Sequence, residues 1–174
     1  MGGFKKLNQT DSFHLQAAEG WFELGDLVSA NNELDEITPQ ERAHPAVLSM
    51  RYEIYAKGGR WNVAADIAEI LVSALPDHAE SWLNLAFTTR RKKGGGIPEA
   101  KRILLVASVK FPREYLIPYY LACYGAQLGE LDEAKQWFKK AIAIDEKAVQ
   151  RLAVDDPDLK PLWDSMKGTI WKKE

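Results

Sequence analysis

The sequence predicts an all-α chain of about four stacked helical hairpins, an α-solenoid closed by a C-terminal capping helix. Three observations carry that prediction. Small and apolar residues recur at a long, fixed interval: Ala30, Ala64, Ala100 and Ala134 are separated by 34, 36 and 34 residues, and the same intervals relate Leu34, Ala68, Leu104 and Phe138, and again Ile37, Leu71, Ala107 and Ala141. Recurrence at this length is the mark of a repeat architecture, in which each unit buries its apolar face only against its neighbours. Each interval also holds two amphipathic stretches parted by glycine. Finally, 174 residues with 46% hydrophobic and 28% charged content make one domain of globular composition, long enough to bury roughly 70% of the surface its unfolded form exposes.

The elements follow in order. After an N-terminal tail over 1–10, the units span 11–43, 44–77, 78–113 and 114–147, and 148–174 forms the capping segment. The first helices of units two to four are expected over 44–57, 78–92 and 114–128. Glycine then turns the chain at Gly25, Gly58-Gly59, Gly94-Gly95-Gly96 and Gly129, since glycine past a helix end accepts the left-handed backbone other residues resist. In the second helices Ala64, Ala100 and Ala134 permit close approach, while Leu104 and Phe138 fill the space a turn later. Pro76 and Pro112 stop those helices. The interval of 36 arises from two residues inserted within RRKKGGGIPEA, inside the turn of unit three. In the cap, Asp156-Pro157 reads as an N-cap with proline at the first helical position. Leu159, Leu162, Trp163 and Met166 then form one apolar stripe. A tail that docks into a neighbouring molecule, including Ile170 and Trp171, is the alternative.

SWLNLAF (81–87), followed by PEA (98–100) and FP (111–112), resembles the tetratricopeptide repeat. LACYGAQLGELDEAKQWFKKAIAID (121–145) is closer still, with Leu121, Ala122, Gly129, Ala134, Phe138 and Ala141 at the expected spacing. Unit two matches at Tyr52, Tyr55, Gly59, Ala64 and Pro76; unit one is degenerate, with His14 where the motif favours Trp. The resemblance covers 11–147. Pentatricopeptide repeats, which read RNA, use 35-residue basic units and fit less well. The resemblance implies a right-handed superhelix whose first helices line a concave face and hold an extended or helical peptide.

Helical spacing on those first helices nominates Leu15, Glu19, Phe22 and Glu23 in unit one, and Ser49, Glu53, Ala56 and Lys57 in unit two. Units three and four offer Asn84, Phe87, Arg90 and Arg91, then Tyr119, Tyr120, Cys123 and Gln127. The candidate partner-binding residues among them are Glu19, Glu23, Ser49, Glu53, Lys57, Asn84, Phe87, Arg90, Arg91, Tyr119, Tyr120 and Gln127. Phe87 and Tyr120 are equally readable as packing between adjacent helices. Chaperone-binding members of the tetratricopeptide family hold a terminal carboxylate with a Lys, Asn and Arg clamp. Here only Asn84 matches; Ser49, Glu53, Leu116 and Tyr120 stand at the other clamp positions, and Glu53 would repel a carboxylate. The clamp is rejected.

Charge sharpens the picture. Lys plus Arg number 23 against 25 for Asp plus Glu, a net −2, which argues against a nucleic-acid binder or a polybasic membrane-surface protein. The total is a cancellation: residues 1–89 carry 6 basic and 13 acidic groups, residues 90–174 carry 17 and 12. The expected groove is therefore acidic early and basic and aromatic late. A single cysteine, no visible secretory signal, and an apolar stretch around 67–75 that is short and interrupted by Asp66 and Glu69 give a cytoplasmic expectation with no membrane association.

No catalytic constellation, metal site or cofactor motif emerges. His14, His44 and His78 form no ligand pair; His44 and His78 are repeat-equivalent helix-start residues. Arg90-Arg91-Lys92-Lys93 precedes the glycines instead of following them, so it is read mainly as a solvated, flexible turn, with anion or acidic-partner binding as the alternative. Asp155, Asp156 and Asp158 are read as helix caps. Cys123 has no histidine close in sequence to activate it. The expectation is a non-enzymatic interaction scaffold for a peptide or protein partner. A self-assembling head-to-tail module is the alternative, with weak self-association as its mark, and an enzyme with a dispersed site is more distant.

Overall fold

The computed structural model describes residues 5–166. Ile170 and Trp171, the alternative docking tail, lie outside the described residues. Those residues form α1 (Gln9–Glu23), α2 (Leu27–Glu36), α3 (Pro45–Lys57), α4 (Trp61–Ala74), α5 (Ala79–Thr89), α6 (Ile97–Lys110), α7 (Leu116–Gln127), α8 (Leu131–Ile144), α9 (Glu146–Ala153) and α10 (Lys160–Met166), with short 3₁₀ turns at Pro39–Glu41 and Pro157–Leu159. No strand occurs among them, and no helix among them is long and apolar enough to cross a membrane. The chain divides into two units, Met1–Asn84 and Leu85–Glu174.

The recurring residues are buried, apart from the half-buried Phe138. Ala30, Ala64, Ala100 and Ala134 are fully enclosed, as are Leu34, Ala68, Leu104, Ile37, Ala107 and Ala141. A methyl side chain at the helix crossing lets two backbones approach, and the larger apolar residue one turn on fills the space this leaves. The α1–α2 and α7–α8 turns pass through Gly25 and Gly129, with φ of +85° and +77°. That left-handed backbone would strain any residue carrying a Cβ.

In the first unit α1 packs on α2 and α3 on α4, and α3 also touches α1 and α2. Its core joins Ala18, Ala30, Leu34, Ile37, Val47, Met50 and Ile54, with Leu7, Leu15, Phe22 and Leu27 against them. Polar side chains close the helix ends. The buried carboxylate of Asp11 accepts from the Thr38 N–H at 2.8 Å and hydroxyl at 3.0 Å, and from Asn8 Nδ2 at 2.7 Å. Arg51 of α3 donates to Asn31 Oδ1 and the Leu34 carbonyl, each at 3.1 Å, and to Asp35 Oδ1 at 2.8 Å. It thereby supplies partners to the carbonyl end of α2.

In the second unit α7 is packed by α6 and α8, with α9 and α10 laid against α8 and α10 also touching α7. Helix α7 is buried continuously from Ile117 to Ala126 apart from Tyr120, as an apolar sequence around the whole helix requires. Gly125 sits where a Cβ would lie 3.3 Å from the Ala134 Cβ, so α7 and α8 are in close contact there. Phe138 meets Trp163 of α10 edge-on, with ring centroids 5.0 Å apart.

The sequence predicts that the first helix of unit three reaches residue 92, but it ends at Thr89. Its last turn tightens, Arg91 and Lys92 N–H both bonding to the Thr88 carbonyl at 2.9 and 2.8 Å. The glycine run is then drawn back by Gly95 N–H to Lys92 O and Gly96 N–H to Thr89 O, each 3.0 Å. A Cβ on Gly95 would lie 2.0 Å from the Thr89 carbonyl oxygen, so this turn needs glycine for room.

Lys101 of α6 is buried and bonds to Glu130 at 2.5 Å and Glu133 at 2.8 Å. Burial opposes its charge, but the hydrogen bonds it donates to the two carboxylates outweigh that and hold the ammonium above its ordinary pKa. Lys101→Met keeps the stem and removes the charge. It is expected to cost about 1–2 kcal/mol, read as a lower urea midpoint.

Candidate functional site

The nominated residues fall into two groups, one in each unit. In the first, Glu19 and Glu23 are exposed on α1, and Ser49 and Glu53 are exposed one turn apart on α3. Partial desolvation, followed by repulsion from Glu80, raises the Glu53 carboxyl above its ordinary value. Lys57, also exposed, is tied back to α1: its Nζ donates to the Phe22 carbonyl at 3.0 Å and lies 4.1 Å from that ring's centroid. Asn84 is half-buried on α5, its carbonyl accepting from the Tyr52 hydroxyl at 3.4 Å.

In the second unit Phe87 and Arg91 pair with each other. The guanidinium lies 3.6 Å over the ring and Nη1 donates to the Phe87 carbonyl at 3.0 Å. Tyr119, Cys123 and Gln127, spaced by four, share one stripe of α7. Tyr119 is 2% exposed. Tyr120 is half-buried, edge-on to Tyr119 at 5.5 Å and tilted against Tyr124 at 6.4 Å.

What gathers Arg90, Tyr119 and Gln127 is the chain's own C-terminal segment. The Arg90 guanidinium, 5.4 Å from the Tyr124 ring centroid, donates two bonds to the Asp158 carboxylate, that from Nη2 to Oδ1 at 2.9 Å. The Tyr119 hydroxyl donates to Asp156 Oδ2 at 2.6 Å, and the Cys123 thiol reaches the same oxygen at 3.5 Å. Gln127 Nε2 donates to the Asp158 carbonyl at 3.0 Å. Asp156 also caps its own turn, accepting from the Asp158 N–H at 2.9 Å. Leu159 and Leu162 are fully buried behind these contacts.

The electrostatics follow from that arrangement. The Arg90 guanidinium holds Asp158 below the usual carboxylate range. Burial, followed by the Asp156 charge, pushes the Cys123 thiol up, so it stays protonated and is a poor nucleophile. Burial and then the bond to Asp156 raise Tyr119. Burial pushes Tyr124 up to about 12.

Sequence reasoning does not assign Asp156 and Asp158 to this face, because a cap explains one oxygen of Asp156 and says nothing of the other. Two carboxylates two residues apart in a strongly basic half of the chain are the available signal. His44 is an N-cap, Nδ1 accepting from the Ala46 N–H at 3.2 Å, and His14 pairs with Glu33 at 2.9 Å. No group of three or more metal-ligating side chains is gathered among the described residues. An open apolar groove of about 530 Å³, bordered by Val109, Phe111, Trp137 and Ile144, contains none of the nominated residues.

No protein-family model matches this chain, and no curated protein does. Solved structures do match. The MamA protein shares 16% identity at a TM-score of 0.73, over 93% of this chain and 84% of that one. A MamA from Desulfovibrio magneticus RS-1, 41-end, shares 16% at 0.69, over 79% and 76%. A thermophilic TPR protein in Thermus thermophilus shares 18% at 0.64, over 93% of each chain. Likeness at such identity establishes the fold: an α-solenoid of tetratricopeptide-type helical hairpins.

Proposed function

We propose that this chain is a non-enzymatic, cytoplasmic protein-interaction module that holds a peptide or a segment of a partner protein on the first helices of its hairpins, the concave face that such hairpins build. The observation that supports this reading most is Glu53. It is exposed on α3, yet desolvation and Glu80 both disfavour its charge. A cationic side chain set against it would relieve that cost, so the chemistry recognised at this end is basic. Ser49 one turn away, and Glu19 and Glu23 on α1, extend the polar surface.

A peptide array probed with the full chain is expected to enrich Lys- and Arg-containing sequences. Glu53→Lys should weaken that binding about tenfold. Binding should also fade as pH falls, and begin to do so above the ordinary carboxylate value of 4.5, because the raised Glu53 takes up its proton early. An array without basic enrichment, or indifferent to Glu53→Lys, would count against the reading.

Self-assembly is favoured by a different observation. The unit Met1–Asn84 carries 6 basic and 13 acidic groups, and Leu85–Glu174 carries 17 and 12. Head-to-tail contact between copies would pair opposite charges. Light scattering at low and high salt distinguishes this case, a strict monomer at both counting against it.

A further inference from the structure

Residues 156–162 lie on the second unit as a bound ligand would. Its polar contacts with Arg90, Tyr119, Cys123 and Gln127 are of a kind that a separate polypeptide can supply. One carboxylate is gripped by two Arg90 donors, a second takes the Tyr119 hydroxyl and Cys123 thiol, and a backbone carbonyl takes Gln127. Leu159 and Leu162 add buried apolar anchors. We infer that this face of α7, with Arg90, is a recognition site for an Asp-x-Asp-Leu segment of a partner protein, and that the chain's own Asp156–Leu162 holds the site until such a segment displaces it.

Closing the end of a repeat stack needs apolar cover, which Leu159, Leu162 and Trp163 provide. It does not need a two-donor arginine grip, which is the geometry of carboxylate recognition. The guanidinium also lies 5.4 Å from the Tyr124 ring centroid, a contact independent of the carboxylate that would help to hold the arginine in place when the segment leaves. The unit stays basic, 17 groups against 12, with its own aspartates counted, and so favours acidic ligands. Val154 and Asp155, both exposed, join the segment to α9, so the joint itself buries no side chain that release would have to uncover. A tethered occupant lowers the apparent affinity for a competitor by the fraction of time the site is open.

This inference deepens the interaction reading and rests on it, but concerns a different surface from Glu53. Its failure therefore leaves the basic-peptide prediction standing, and the reverse holds. The probe is a fluorescent peptide with the sequence of residues 154–166. Full-length Asp156→Asn/Asp158→Asn loses its internal carboxylates and keeps the receptor. It is expected to bind the peptide about tenfold more tightly than the wild-type chain. Adding Arg90→Gln should return binding to the wild-type level or below, and a peptide with both aspartates changed to asparagine should not bind. A folded double variant that binds no better than wild type overturns the proposal. If that variant does not fold, hydrogen exchange in the wild-type chain decides. Excess peptide should speed exchange at the Asp158 and Leu159 amides, which bond to Asp156, and unchanged exchange overturns the proposal.

Discussion

Gly125→Leu is expected to lower the thermal midpoint of the chain by about 10 °C. The glycine lies within buried α7, where even a Cβ would stand 3.3 Å from the Cβ of Ala134 and 3.5 Å from its Cα. A methyl group there needs a shift of a few tenths of an ångström. Three further carbons must push α8 away from α7, and α8 is itself fixed by the Lys101 bonds and by Phe138 against Trp163. Overpacking of this kind costs about 3 kcal/mol, and a chain of this size loses roughly 2–4 °C per kcal/mol. Gly125→Ala separates the causes. Its helix-propensity gain of about 1 kcal/mol offsets the small displacement, so its midpoint should stay near wild type. Circular dichroism melts of both variants check the pair; a leucine variant melting with wild type would disprove the close approach of the helices.

Arg90→Ala should have the next largest effect, about 2 kcal/mol, because it leaves the Asp158 carboxylate partly covered and without its guanidinium. The loss should depend on pH. In the folded chain Asp158 is held below its ordinary value of 3.8, so the unfolded chain binds that proton first as pH falls. The Arg90 contribution is thus fully present above the ordinary value and is lost as pH drops through the lower, folded one. Wild type and variant should differ in urea midpoint at neutral pH and converge in acid. A difference that persists unchanged at about pH 2 would mean that Arg90 acts by packing on Tyr124 and not through the ion pair.

How much is legible in the sequence varies along the chain for physical reasons. The positions Ala30, Ala64, Ala100 and Ala134 are identifiable because a stacked hairpin imposes the same steric demand at every repeat, and all four are fully buried. The end of α5 is not. Helical pattern continues through Arg90-Arg91-Lys92, but the helix stops at Thr89, whose carbonyl accepts from the returning Gly96 N–H and not from a further helical turn. At the nominated surface, helical spacing picks out Arg90, Tyr119 and Gln127 without indicating what they meet. Their partners lie 68, 37 and 31 residues away in Asp158 and Asp156, beyond the reach of any local pattern.

Periodicity by itself thus determined the hairpins and their buried alanine spine, because those features answer to neighbours within one repeat length. The same net charge of −2 was divisible into an acidic and a basic half from composition alone. Only the tertiary structure decided how part of that basic half is used: it brings Asp156 and Asp158 onto Arg90 and α7. Such contacts depend on the return path of a non-repeating segment, and a non-repeating segment has no second copy in the sequence to reveal where it packs.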